Sequence, residues 1–173
     1  MFALERLGIK MNVSNSEASG FGNNVVVSEI MRMFDQPNGF SKLKPEQRKF
    51  LLGVILGSIV PVDGKIKAVE VQCLKTHLQK RYSLNAATIR DVVAFSNTGL
   101  TPEQLKKAAA QLQELLSIED RTLLIGMLWD VAICDDELHS SEEEMIYKVA
   151  DGSGVPRKRV AEQQARAQGK QIR

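Results

Sequence analysis

A segment near the middle of the chain recurs 72 positions later (135 − 63), and the recurrence joins an apolar helical run to an acidic loop. Phe50-Leu51-Leu52-Gly53-Val54-Ile55-Leu56 falls on Thr122-Leu123-Leu124-Ile125-Gly126-Met127-Leu128, and Asp63-Gly64-Lys65-Ile66 falls on Asp135-Asp136-Glu137-Leu138. Glu70 then meets Glu142, and Leu74 meets Ile146. The identical pairs are Leu51/Leu123, Leu52/Leu124, Leu56/Leu128, Asp63/Asp135 and Glu70/Glu142, with similar apolar residues in the core-facing slots between them. Two like helical hairpins can bury their apolar faces against each other about a pseudo-twofold axis. The expected core is four helices, with those of Ala86–Leu116 connecting the halves.

Punctuation along the chain divides it into about seven helices. Pro45-Glu46-Gln47 suits a first helical turn, and Pro61 stops that helix at about Val60. Further helices are expected over about Ala68–Tyr82 and Ala86–Ser96. Thr101-Pro102-Glu103-Gln104 supplies a cap, a first-turn proline and a Gln three residues on, opening a helix to about Leu116. The rest follow at about Ser117–Cys134, Ser140–Asp151 and Pro156–Ala167. No segment sustains strand alternation, so the fold class is all-α.

Residues 1–40 read as a loop-rich segment, with Ser/Asn/Gly stretches, a short amphipathic helix around Val26–Phe34 and turn residues at Asp35–Gly39. The helical domain spans 41–168, and 169–173 form a tail. The chain has 173 residues, of which 43% are hydrophobic and 25% charged, enough for a real core. A formal net charge of +2 gives no drive toward nucleic acid or acidic lipid. No apolar run approaches a membrane span, and the first residues lack the pattern of a signal peptide. Cys73 and Cys134 lie in apolar helical patterns and read as buried core thiols in a reducing compartment, so a cytoplasmic protein is expected.

Each acidic loop has the form Asp-(Gly/Asp)-x-(Ile/Leu)-x-x-x-Glu, the second half of a calcium-binding EF-hand loop. The positions of the earliest oxygen ligands hold Ile59 and Pro61 in one copy and Val131 and Ile133 in the other, so neither loop can surround Ca²⁺ alone. Two readings follow. In one, Asp63 and Asp135 only close their turns, while Glu70 and Glu142 satisfy amides at the start of the next helix. In the other, both loops lie at one end of the bundle and Asp63, Glu70, Asp135 and Glu142 converge on a divalent cation (Ca, Mg, Mn or Zn). Asp136, His139 and Glu143 are additional candidate ligands, His139 as a nitrogen donor for Zn²⁺ or Mn²⁺.

The pair Val62-Asp63-Gly64-Lys65-Ile66…Glu70 and Cys134-Asp135-Asp136-Glu137-Leu138…Glu142 resembles the tellurite-resistance TerB-like family, whose members carry Ala-Asp-Gly-x-Ile/Leu-x-x-x-Glu twice, each after an apolar helix. The resemblance covers roughly Pro45 to Arg166. It implies an all-α bundle, a bacterial cytoplasmic origin, a link to tellurite or stress response and a cation site at Asp63, Glu70, Asp135 and Glu142. A related domain fronts a membrane-anchored J-domain co-chaperone, so the module is not tied to one pathway; a protein partner, in some settings membrane-associated, is expected. This chain departs from the pattern at Val62, Cys134 and Asp136, and Lys67 and His139 replace the usual cap-type residue. Asp136 strengthens its loop as a ligand source, whereas Lys65 and Lys67 weaken theirs.

Other features read as structural. His77 sits mid-helix with no acid–base partner evident, neither cysteine makes a metal-ligand spacing with a histidine, and Trp129 belongs to the core. The basic tail, Arg157, Lys158, Arg159, Arg166, Lys170 and Arg173, lacks interleaved aromatics and reads as a solvated helix face, with neither nucleic-acid binding nor membrane insertion expected. No nucleophile set, phosphate loop or paired metal-ligand histidines suggests an enzyme. The expected function is a non-enzymatic cation-binding or docking module, the alternative a metal-free interaction scaffold whose carboxylates only cap helices.

Overall fold

Pro45 has no amide hydrogen to lose at a helix start, and Gln47 Oε1 accepts the Lys44 amide at 2.8 Å, so helix α1 (Pro45–Gly57) begins there. It ends earlier than Pro61 requires. Residues 58–64 instead wind through tight turns, with Val60 N donating to Gly57 O at 3.3 Å and Gly64 N to Pro61 O at 3.0 Å. The computed structural model describes residues 39–97 and 100–171, together with Arg32 and Gln36. Apart from Arg32, which is helical, the short helix expected around Val26–Phe34 and the loops before it lie outside the described residues.

Six more helices follow: α2 (Ala68–Tyr82), α3 (Ala86–Ser96), α4 (Pro102–Leu115), α5 (Ile118–Ala132), α6 (Ser140–Gly152) and α7 (Arg157–Gln171). No strand occurs among the described residues, and the protein is an all-α bundle. Local capping sets the boundaries. Asn85 Oδ1 accepts Thr88 N at 2.9 Å, Ser117 Oγ accepts Asp120 N at 3.1 Å, and Thr101 and Gln104 form the reciprocal pair the sequence indicates. Ser83 ends α2 in the left-handed region at φ 52.

Helix α5 is the centre of the bundle and touches α1, α2, α4, α6 and α7, while α1 packs mainly on α3, and α4 on α6. Its Leu124, Ile125, Leu128, Trp129 and Val131 are fully buried. Trp129 meets Tyr147 edge to face, centroids 6.0 Å apart. Two expectations about the repeat fail in detail. Leu51 is 1% exposed but its counterpart Leu123 is 44% exposed, because α1 and α5 have different neighbours. Ile66, in the slot expected to face the core, is exposed, whereas Leu138 is half-buried against it.

The basic C-terminal segment is also tied down more firmly than a solvated face. Arg166 Nη2 donates to Gly126 O at 2.9 Å and pairs with Asp130 Oδ1 at 3.1 Å. The Arg157 guanidinium pairs with Asp151 at 2.6 Å and lies 4.7 Å from the Tyr147 ring centroid. Val160 and Ala167 bury the apolar face of α7, and these charged groups, with partners on other helices, add to its seat.

A candidate cation site at the acidic pole

The two loops build the same local turn. Asp63 Oδ1 accepts Lys65 N at 2.9 Å, and Asp135 Oδ1 accepts Glu137 N at 3.1 Å. The next residue is left-handed in both, Gly64 at φ 80 and Asp136 at φ 65. Glycine reaches this region freely and aspartate more readily than most side chains, which accounts for the pair of residue types seen there. Each aspartate thus spends one oxygen on its own turn and keeps the other.

The remaining oxygens meet at one end of the bundle. Lys67, the residue before α2, places its ammonium among them. Nζ forms its shortest pair with Asp135 Oδ2 and lies 3.8 Å from Asp63 Oδ2, 3.7 Å from Glu70 Oε1 and 3.5 Å from Glu137 Oε2. His139, before α6, stands at the matching position of the second loop. Its Nε2 lies 3.2 Å from Asp63 Oδ2, 3.8 Å from Glu137 Oε2 and 3.3 Å from Lys67 Nζ.

Glu70 and Glu142 occupy the third position of their helices and are each 1% exposed. They are used differently. Glu142 Oε2 accepts the His139 amide at 3.0 Å, a helix cap. Glu70 caps nothing: both its oxygens are buried without a hydrogen-bond partner, as is Asp63 Oδ2. Burial, and next the charge of Glu142, pushes the Glu70 carboxyl up to about 7. Burial likewise raises Glu142, although the His139 amide opposes it. For Asp135, burial is outweighed by the Lys67 and backbone hydrogen bonds, and its carboxyl is held below the usual range. Lys67 itself is pushed above its ordinary value, first by its hydrogen bond to Asp135.

The additional candidates divide. His139 joins the cluster, Asp136 is exposed on its turn, and Glu143 is half-buried in the first turn of α6. Glu137 was not singled out from the sequence, yet it reaches both Lys67 and His139; its spacing two residues after Asp135 was the signal available. Among the described residues no three His, Cys, Asp or Glu side chains already stand in a metal-binding arrangement. The cluster is spaced around an ammonium.

Beside this pole lies a groove of about 720 Å³, with Val62, Leu100, Pro102, Leu105 and Met145 among its walls. None of the four carboxylates lines it.

A second polar group sits further along the same helices. Cys73 Sγ donates to Asp130 O at 3.5 Å, and His77 Nε2 lies 3.4 Å from Asp130 Oδ2. His77 therefore has an acidic partner that its sequence neighbourhood conceals. The two cysteines are half-buried and free, not deep in the core, and Cys73 Sγ sits against the carbonyl of Asp130, four residues before Cys134. Cys134 as donor lowers the Cys73 thiol, with His77 adding to the effect, and the same contact raises Cys134.

The model of the family described as "Tellurite resistance protein TerB" matches residues 50–165, which takes in both acidic loops, α2, α5 and α6, and all but the first five residues of α1. The chain belongs to the TerB family. No curated protein and no solved structure matches it. Within this TerB-family domain, Lys67 and His139 stand where the resemblance led us to expect cap-type residues, and neither side chain caps its helix. No helix among the described residues is long and apolar enough to cross a membrane.

Proposed function

We propose that this TerB-family domain is a non-enzymatic cation-binding module whose acidic pole takes one divalent ion in competition with its own lysine. The observation that carries the reading is that Asp63 Oδ2 and both Glu70 oxygens are buried without a hydrogen bond, the Lys67 ammonium standing 3.8 Å from Asp63 Oδ2 and 3.7 Å from Glu70 Oε1 as their shared positive neighbour. Buried carboxylate oxygens left without donors are costly, and several at close range favour a hard cation. Asp63, Glu70, Asp135 and Glu142 would supply oxygen ligands, and His139 a nitrogen that suits Mn²⁺ or Zn²⁺ better than Ca²⁺ or Mg²⁺. A bound ion would have to displace the Lys67 ammonium, which sets the affinity lower than the carboxylate number suggests. The cytoplasm, a protein partner engaged through the loaded pole and a role in tellurite or stress response complete the proposal, the last following the family's description.

Titration calorimetry of the purified protein with Ca²⁺, Mg²⁺, Mn²⁺ and Zn²⁺ tests it. At least one ion should bind at a single site and raise the stability by about 2.7 kcal/mol at a hundredfold excess over Kd. Asp63→Ala and Asp135→Ala should each abolish that binding. No heat and no melting shift with any of the four would reduce the domain to a scaffold whose carboxylates only cap and pair.

A further inference from the structure

Two residue pairs, each one helical turn apart, face one another across the contact between α2 and α5. Cys73 and His77 lie on α2, while Asp130 lies on α5 and Cys134 just beyond its end. Side chains four residues apart share a helix face, so the packing of α2 on α5 brings all four groups together. Cys73 Sγ is 3.5 Å from Asp130 O, and His77 Nε2 is 3.4 Å from Asp130 Oδ2. Arg166 fixes the Asp130 carboxylate from the other side, its Nη2 3.1 Å from Oδ1. A thiol beside an imidazole, with a carboxylate orienting that imidazole, is the arrangement that produces a reactive thiolate. Both cysteines are half-buried residues and neither is sealed in the core.

We propose that Cys73 and Cys134 form a reversible intramolecular disulfide on reaction with a hydroperoxide, with Cys73 as the attacking thiol and Cys134 as the resolving one. His77 accepts the Cys73 proton. The thiolate attacks the terminal hydroperoxide oxygen, an S–O bond forms, the O–O bond breaks, and the alkoxide or hydroxide leaves with the proton from His77. Cys73 is now a sulfenic acid. The Cys134 sulfur then attacks Cys73, the S–S bond forms, the S–O bond breaks, and the hydroxyl departs with the Cys134 proton as water. Two electrons pass from the thiol pair to the peroxide, and an external dithiol returns them. The seat of Cys73 Sγ against the Asp130 carbonyl, four residues before Cys134, puts both cysteines at the same contact between α2 and α5, and the lowering of the Cys73 thiol by Cys134 and His77 favours this order of events. The bond would join the two halves of the acidic pole, since Cys73 lies one turn after Glu70 and Cys134 immediately precedes Asp135.

The test is oxidation of the reduced, purified protein with stoichiometric hydrogen peroxide, followed by intact mass and free-thiol titration. The expected result is loss of both thiols and of the mass of two hydrogens in the monomer, restored by dithiothreitol. In Cys134→Ser, dimedone should trap a sulfenic acid at Cys73, whereas Cys73→Ser should leave Cys134 unlabelled. His77→Gln should slow the reaction by roughly tenfold or more and move its pH dependence upward. Thiols that survive peroxide, oxygen addition without loss of two hydrogens, or equal dimedone labelling of the two serine variants would each overturn the proposal. The wild-type mass change decides the matter even if a serine variant fails to fold.

Discussion

Lys67 pairs with Asp135, 68 residues further along the chain, so the residue that opens α2 is held by the loop that opens α6. The ammonium does for this pole what a metal ion would do: it draws carboxylates from two separate hairpins to one point.

Removing that ammonium should therefore favour an external cation. In Lys67→Met, the affinity of the preferred divalent ion should rise roughly tenfold or more, because one unit of like-charge repulsion disappears from the site. Calorimetry on the variant checks this. A weaker ion in the variant would mean that Lys67 positions the ligands instead of competing with the metal.

Without added cation, stability should depend on pH through Glu70. Its folded-state carboxyl titrates near 7 against an ordinary value of 4.5, so between these the native state holds a proton that the unfolded chain has released. Stability should fall as pH climbs from 4.5 to 7, and Glu142, also raised, acts in the same direction. Glu70→Gln keeps the shape and removes the ionisation. Urea unfolding in chelator should show the wild type losing ground to Glu70→Gln across that window; a constant difference would refute the buried-carboxylate account.

Equivalent repeat positions should not cost the same. Leu51→Ala should destabilise by about 3 kcal/mol, the range for a buried leucine that leaves a cavity. Leu123→Ala, on a residue 44% exposed, should stay within about 0.5 kcal/mol of wild type. Chemical denaturation of the two variants side by side makes the comparison.

Arg166→Ala should loosen α7 from α5, since it removes the bond to Gly126 O and the pair with Asp130. A loss of about 1–2 kcal/mol is expected for such charge-assisted bonds. Hydrogen exchange should quicken in α7 before the rest of the bundle, and uniform quickening would show that the helix is not held there.

The helices were legible because their limits are local matters. Proline at a first turn, the Thr101–Gln104 pair and the Asn85 and Ser117 caps act within a few residues, and the backbone obeys them wherever the helix ends up. The closing of the two acidic turns by Asp63 and Asp135 was legible for the same reason, whereas the left-handed backbone at Gly64 and Asp136 came from the structure.

What tertiary structure decided was where those side chains lead. The order of residues determined that two Asp-to-Glu loops follow apolar helices; it did not determine that Lys67 would stand between them, that Glu142 would cap its helix while Glu70 would not, or that Cys73 and His77 would face Asp130 and Cys134. The contacts of Lys67 with Asp135 and of Cys73 and His77 with Asp130 arise from the packing of α2 on α5, between residues far apart in the chain. Helix periodicity fixes which side chains share a face of one helix, whereas the neighbour that face meets is set by how the whole apolar surface is buried.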